Sequence, residues 1–137
     1  MSLMLTLAVA ELARTALFYR EILGLTLQPL TGVGGAPAGL LLRRGDAVVL
    51  FRETVRQQAL HPLLFDHYQR HPHGVGLTLE LTLPDLSPVL RAIDRHGLHP
   101  LYELEDGEHR RREVWLHDPD GYLLVLCEEG EEQGREK

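Results

Sequence analysis

The chain's one cysteine, Cys127, and one of its histidines, His117, flank the stretch DPDGYLLVL, which reads as a strand, a tight turn and a second strand. A thiol becomes a nucleophile only with a base beside it, and His117 on the neighbouring strand is the available partner. No acid that would orient the imidazole is evident. A cysteine packed within a strand is therefore the simpler reading.

A second group is rich in histidine. His61, His67, His71 and His73 lie between Thr54 and Gly74, and HPHG sets His71 and His73 two positions apart. Two histidines on an extended segment can share a metal ion. Pro72 between them, with Asp66 the only nearby carboxylate, makes this a polar linker before it is a metal site. Arg52 in AVVLFRE, and Thr78 and Glu80 in VGLTLELTL, are polar side chains within strand-like runs. Arg52 can grip a carboxylate or phosphate, or can pair with Glu80. Trp115 can stack on a ring or a cation, or serve as plain core.

Such groups act only if a frame positions them. Residues 3–10, LMLTLAVA, read as a strand. From Glu11 to Leu23, Leu12, Ala16, Tyr19 and Leu23 recur at helical spacing, and Gly24 stops the helix. LTLQPL is a short strand and TGVGGAPAG a glycine-rich loop; GLLLRR and AVVLFRE form a hairpin about Gly45-Asp46. Thr54 to Gly74 reads as a linker with one helical turn near Leu63 to Tyr68. The pattern then restarts. VGLTLELTL is a strand, and Ser87 is the expected N-cap with Pro88 at the first helical position. Leu90 and Ile93 share a helical face, and Gly97 stops that helix. LHPLYEL is a strand and EDGEHRR a loop, and REVWLH pairs with YLLVLCE about DPDG. A three-residue-loop hairpin there sets Trp115 opposite Val125 and His117 opposite Leu123.

One unit, strand–helix–strand–strand–strand, is thus used twice. GDAVVLFRE aligns with DGYLLVLCE, setting Leu50 against Val125, and AVAEL aligns with TLPDL, setting Met4 against Thr78. The expectation is an α+β fold: two βαβββ modules forming a curved mixed sheet around a cup, helices outside. It fills a single domain over residues 1–137. The first module covers about 1–55, a linker 56–73, the second module about 74–130 and an acidic tail 131–137.

Composition narrows the function classes. A chain of 137 residues with 44% hydrophobic and 25% charged content suits one soluble globular domain. No apolar run approaches the ~20 residues of a membrane span. The N-terminal MSLMLTLAVAELART has no basic region ahead of its apolar stretch, so it is a poor signal peptide. One cysteine allows no intrachain disulfide, and the cytoplasm is the expected compartment. A net charge of −6, much of it in EEGEEQGREK, argues against nucleic acid as a partner.

ARTALFYREILGLTL in the first module and VWLHDPDGYLLVLCE closing the second resemble the vicinal oxygen chelate superfamily. That group includes glyoxalase I, extradiol dioxygenases, fosfomycin-modifying enzymes and the bleomycin-resistance proteins. The order of elements carries the resemblance from Met1 to about Glu129. Its residues are core and turn chemistry. Phe18 and Tyr19 anchor a helix, Gly24 permits a left-handed C-cap, Pro119 presets a turn and Gly121 accepts positive φ. They identify the frame rather than the function.

The resemblance implies a divalent metal held by His or Glu from the first and last strand of each module. Those positions fall on Met4, Leu50, Thr78 and Val125, none a competent ligand. A one-residue slip at Met4 or Thr78 supplies only leucine. With Val125 facing the cup, alternation turns Leu123 and Cys127 the same way. The implied lining is Arg52, Thr78, Glu80, Trp115, His117 and Cys127 over Met4, Leu50 and Val125. The expected function is a metal-independent small-molecule-binding protein with no cofactor. Its expected partners are a small organic ligand in the cup and a second copy in a homodimer. The alternative is a glyoxalase- or dioxygenase-like metalloenzyme with a displaced metal site built from Glu80, His117 and Cys127, or acid–base catalysis by Glu80 and His117. A pure interaction module, its cup filled by its own side chains, is the third reading.

Overall fold

The computed structural model describes residues 3–31, 37–63, 70, 74, 76–108 and 111–129. The chain divides into two compact units. The first comprises Met1–Glu21 and Leu25–His73; the second comprises Ile22–Gly24 and Gly74–Lys137. Each contains a βαβββ module with its own four-stranded mixed sheet.

In the first unit, β1 (Leu3–Val9) is followed by α1 (Leu12–Glu21), β2 (Gln28–Thr31), β3 (Pro37–Arg44), β4 (Ala47–Glu53) and α2 (Thr54–Leu60). The sheet order is β1-β4-β3-β2, with β1 parallel to β4 and the remaining pairs antiparallel. Alternation sorts its side chains. Leu7, Val9, Leu40, Leu42 and Phe51 share one face and are buried. Tyr19 of α1 packs its ring on Phe51 at a centroid distance of 5.2 Å, so the helix covers that face. The helix ends as expected at Gly24, whose φ is 70°, with the Leu25 N–H reaching back to the Tyr19 carbonyl at 3.0 Å.

In the second unit, β5 (Thr78–Leu83) is followed by α3 (Ser87–Arg95), β6 (Tyr102–Asp106), β7 (Arg111–His117) and β8 (Leu123–Glu128), in the order β5-β8-β7-β6. Leu79, Leu83, Val114, Leu116, Leu124 and Leu126 share its buried face, and α3 buries Val89, Ala92 and Ile93. The DPDG turn is organised by a side chain that sequence reading passed over. Asp118 Oδ1 accepts the N–H groups of Asp120 at 2.9 Å and Tyr122 at 3.0 Å, while Gly121 takes φ of 93°.

The repeat holds in register. Met4 pairs with Val48 and Leu50 with Thr6; Thr78 pairs with Leu123 and Val125 with Glu80. Met4 therefore corresponds to Thr78, Thr6 to Glu80, and Leu50 to Val125. A further correspondence emerges at the helix starts. The Leu12 N–H donates to Glu53 Oε2 at 3.0 Å, and the Leu86 N–H donates to Glu128 Oε2 at 2.8 Å. In each module a carboxylate at the end of the last strand sits on the N-terminus of the helix, where it meets unpaired N–H groups and the positive end of the helix dipole.

Two local expectations are corrected. Ser87 is the first helical residue rather than the N-cap, which is Leu86 and has no side-chain cap. Asp85 and Glu128 serve that end instead, Asp85 Oδ1 accepting the Ser87 N–H at 2.9 Å. The segment read as linker opens with α2, which buries none of its residues. It rests on the helix propensity of Arg, Gln, Ala and Leu and carries no apolar stripe to betray it. Most of the helical turn expected near Leu63 to Tyr68 lies outside the described residues, as do His67, His71, His73 and the acidic tail. Among the described residues no helix is long and apolar enough to cross a membrane.

Candidate functional site

Directly paired residues in a sheet present their side chains on the same face. The face of the second sheet turned away from its buried leucines is therefore laid out in rows across the strands. One row runs Thr78, Leu123, His117; the next Glu80, Val125, Trp115, Tyr102; the third Thr82, Cys127, Glu113, Leu104. Trp115 stands opposite Val125 and His117 opposite Leu123, as the hairpin geometry predicts. Thr78, Glu80, Trp115, His117 and Cys127 thus share one face. Arg52 belongs to the first unit, beside Leu50 on β4 and paired with Ala8.

The rows also separate residues that share the face. Cys127 and His117 lie two rows apart on adjacent strands, about 13 Å along the strand direction. Glu80 and His117 are one row apart with β8 between them. Cys127 and His117 are therefore not in hydrogen-bond reach of each other, and among the described residues Glu80, His117 and Cys127 do not cluster as a metal site. The Cys127 thiol donates instead to Glu80 Oε2 at 3.7 Å. Burial first, then the charges of Glu80 and Glu113, push that thiol up to about 11. It stays protonated at neutral pH and is no nucleophile.

Trp115 is held at both ends. Its indole N–H donates to Glu113 Oε2 at 2.6 Å, and its ring meets Tyr102 edge-on at 5.4 Å between centroids and 87° between planes. Tyr102 is 54% exposed, so the pair is an aromatic ledge open to solvent rather than closed core. Glu113 and Tyr102 were missed in the sequence. Alternation in REVWLH already puts Glu113 with Trp115, whereas Tyr102 depends on the register of a strand that has no turn to fix it.

Beside the ledge is a cleft of about 480 Å³, its lining including Glu80, Cys127 and Glu113. Arg112 and Arg111 also line it, and each faces a carboxylate, Glu128 at 2.7 Å and Asp106 at 4.0 Å respectively. Glu80 and Glu113 receive only the neutral donors of Cys127 and Trp115, and among the described residues neither forms an ion pair. The cleft is therefore negative, and the Trp115–Tyr102 ledge lies next to it, joined through Glu113.

A divalent metal does not fit the donors present. In the first unit the corresponding positions hold Met4 and Leu50, and in the second Thr78 and Val125, in the register expected. Among the described residues no three His, Cys, Asp or Glu side chains converge to hold an ion.

The family model of the Glyoxalase/Bleomycin resistance protein/Dioxygenase superfamily matches residues 3–126. The chain belongs to this superfamily. Solved structures share its fold at low identity. A glyoxalase/bleomycin resistance protein from Catenulispora acidiphila is 18% identical with a TM-score of 0.58, over 94% of this chain and 98% of that one. A glyoxalase-related enzyme from Fulvimarina pelagi is 16% identical with a TM-score of 0.60, over 94% and 88%. A lactoylglutathione lyase from Agrobacterium tumefaciens is 13% identical with a TM-score of 0.58, over 93% and 92%. No match to the chain is found among curated proteins. In this superfamily chain the frame is retained, and the positions to which the resemblance points hold Met4, Leu50, Thr78 and Val125.

Proposed function

We propose that this superfamily member is a metal-independent small-molecule-binding protein, assembled as a homodimer, whose ligand lies on the open face of the second module. The observation that carries the reading is the residue set Met4, Leu50, Thr78 and Val125 at positions where the superfamily resemblance calls for His or Glu. The cleft adds the ligand's character. Glu80 and Glu113 favour a cation, and the Trp115–Tyr102 ledge favours a planar one. Neutral donors tie both carboxylates in place without cancelling their charge, which preorganises the surface for a positive group.

The test has two arms. Metal content is quantified on tag-free protein; less than a tenth of an equivalent of divalent metal is expected, on the order of an adventitious trace. Planar cationic dyes are then titrated against the fluorescence of Trp115, the chain's single tryptophan. Saturable quenching that weakens about tenfold in Glu80→Gln or Glu113→Gln supports the reading, one charged contact being worth ~1.4 kcal/mol. A near-stoichiometric metal lost in Glu80→Ala overturns it and returns the metalloenzyme alternative.

A further inference from the structure

The two modules use the same carboxylate at the same helix start, and they differ in what else reaches it. In the second module, Arg112 lies beside Glu128 across β7 and β8. Its Nε donates to Glu128 Oε1 at 3.1 Å and its Nη2 to Oε2 at 2.7 Å, and Nη2 also reaches Ser87 Oγ at 2.9 Å. The register of the repeat sets Val114 against Leu40, so the residue corresponding to Arg112 is Ala38. Leu86 and Leu90 correspond to Leu12 and Ala16, and Ser87 to Ala13. Glu53 keeps the Leu12 N–H, and among the described residues it forms no ion pair.

The space follows the sequence. In the second module the cavity at Leu86, Leu90 and Arg112 measures about 110 Å³. In the first, the cavity at Leu12, Ala16 and Ala38 measures about 390 Å³, with Glu53 and Arg56 also on its wall. The arginine that plugs the pocket in one module is missing in the other, and three alanines widen the place it leaves. The remaining wall is apolar, from Leu12, Leu40 and Pro37.

We infer that the first-module pocket binds a small alkylguanidinium carrying a carboxylate, with its guanidinium on Glu53 in the manner of Arg112 on Glu128. The chain itself displays the recognition chemistry, a two-point guanidinium–carboxylate pair beside a helix start. The apolar wall suits a methylene stem. Arg56 disfavours a bare cation and accepts the carboxylate at the other end, so the pocket's single negative and single positive side chains match a zwitterion. The pocket lies wholly within the first unit and is independent of the second-module cleft.

The test titrates full-length protein with L-arginine by calorimetry, with L-citrulline, its uncharged isostere, as the comparison. L-arginine is expected to bind saturably and L-citrulline at least tenfold more weakly. Glu53→Gln keeps an acceptor for the Leu12 N–H and is expected to abolish the difference. Ala38→Arg restores the plug and is expected to remove arginine binding while raising Tm; Ala38→Leu blocks the same space without a charge, should the arginine disturb folding. Absence of saturable arginine binding overturns the proposal. So does equal binding of arginine and citrulline, or arginine binding that survives Glu53→Gln and both Ala38 variants.

Discussion

The carboxylate of Glu128 and the guanidinium of Arg112 meet in a two-point pair, 2.7 Å at one oxygen and 3.1 Å at the other, while the same carboxylate accepts the backbone N–H of Leu86. The pair joins the last strand, its neighbour and the start of α3. The hydrogen bond from Arg112 is the largest cause that holds Glu128 down at about 2, against an ordinary 4.5.

That depression fixes a pH dependence. The folded-state value lies below the unfolded one, so the contribution is complete above the unfolded value and is lost as pH falls through the folded one. Glu128 is thus expected to supply on the order of 3 kcal/mol at neutral pH, disappearing between about pH 4.5 and 2. Denaturant titrations in that window should show a shallower pH slope in Glu128→Gln than in wild type; equal slopes would contradict the assignment.

The two helix-start carboxylates should differ in worth. Glu128→Gln strands Arg112 and weakens several charge-assisted bonds, and a loss of about 2–3 kcal/mol is expected. Glu53→Gln keeps its one backbone bond and forfeits no ion pair, and a loss of about 0.5–1 kcal/mol is expected. Urea midpoints of the two variants, measured side by side, decide the order.

Cys127 should be an inert thiol. With the group raised to about 11, alkylation by iodoacetamide at pH 8 is expected to run roughly 100-fold slower than for an exposed cysteine. Glu80→Gln removes a neighbouring charge while leaving an amide carbonyl as acceptor, and it should speed the reaction. A rate in the wild type that matches a free thiol would sink the picture of a thiol held protonated by burial and Glu80.

Asp118 has the opposite sign to Glu128. Burial raises its carboxyl above the ordinary value, so its favourable contribution is present at low pH and is lost as pH rises through the folded value. Among the described residues the buried Oδ2 has no hydrogen-bond partner, while Oδ1 carries the turn. Asp118→Asn retains the carbonyl acceptor and removes the charge, so stability at pH 7 should hold or rise. Asp118→Ala leaves two N–H groups unserved and should cost about 2 kcal/mol, read as a lowered Tm.

Much of the frame was legible because its signals are local. Alternation in AVVLFRE and YLLVLCE gives the faces, the hairpin about DPDG gives the Trp115–Val125 and His117–Leu123 pairs, and Gly24 and Gly97 end the helices. What escaped reading is long-range or unpatterned. Glu53 and Glu128 reach residues 41 and 42 positions away, and nothing in their neighbourhood announces it. α2 has no apolar stripe. Cys127 and His117 could be placed on one face, and the same register sets them too far apart to cooperate.

The doubled module also divides labour by inheritance. A carboxylate that must steady a helix start in both copies leaves little freedom at Glu53 or Glu128. The first copy closes its fold with Ala38 where the second has the arginine. A single-copy ancestor would have had to choose between a plugged pocket and an open one. A chain carrying the unit twice keeps both, and one half is free to acquire a new habit while the other preserves the old.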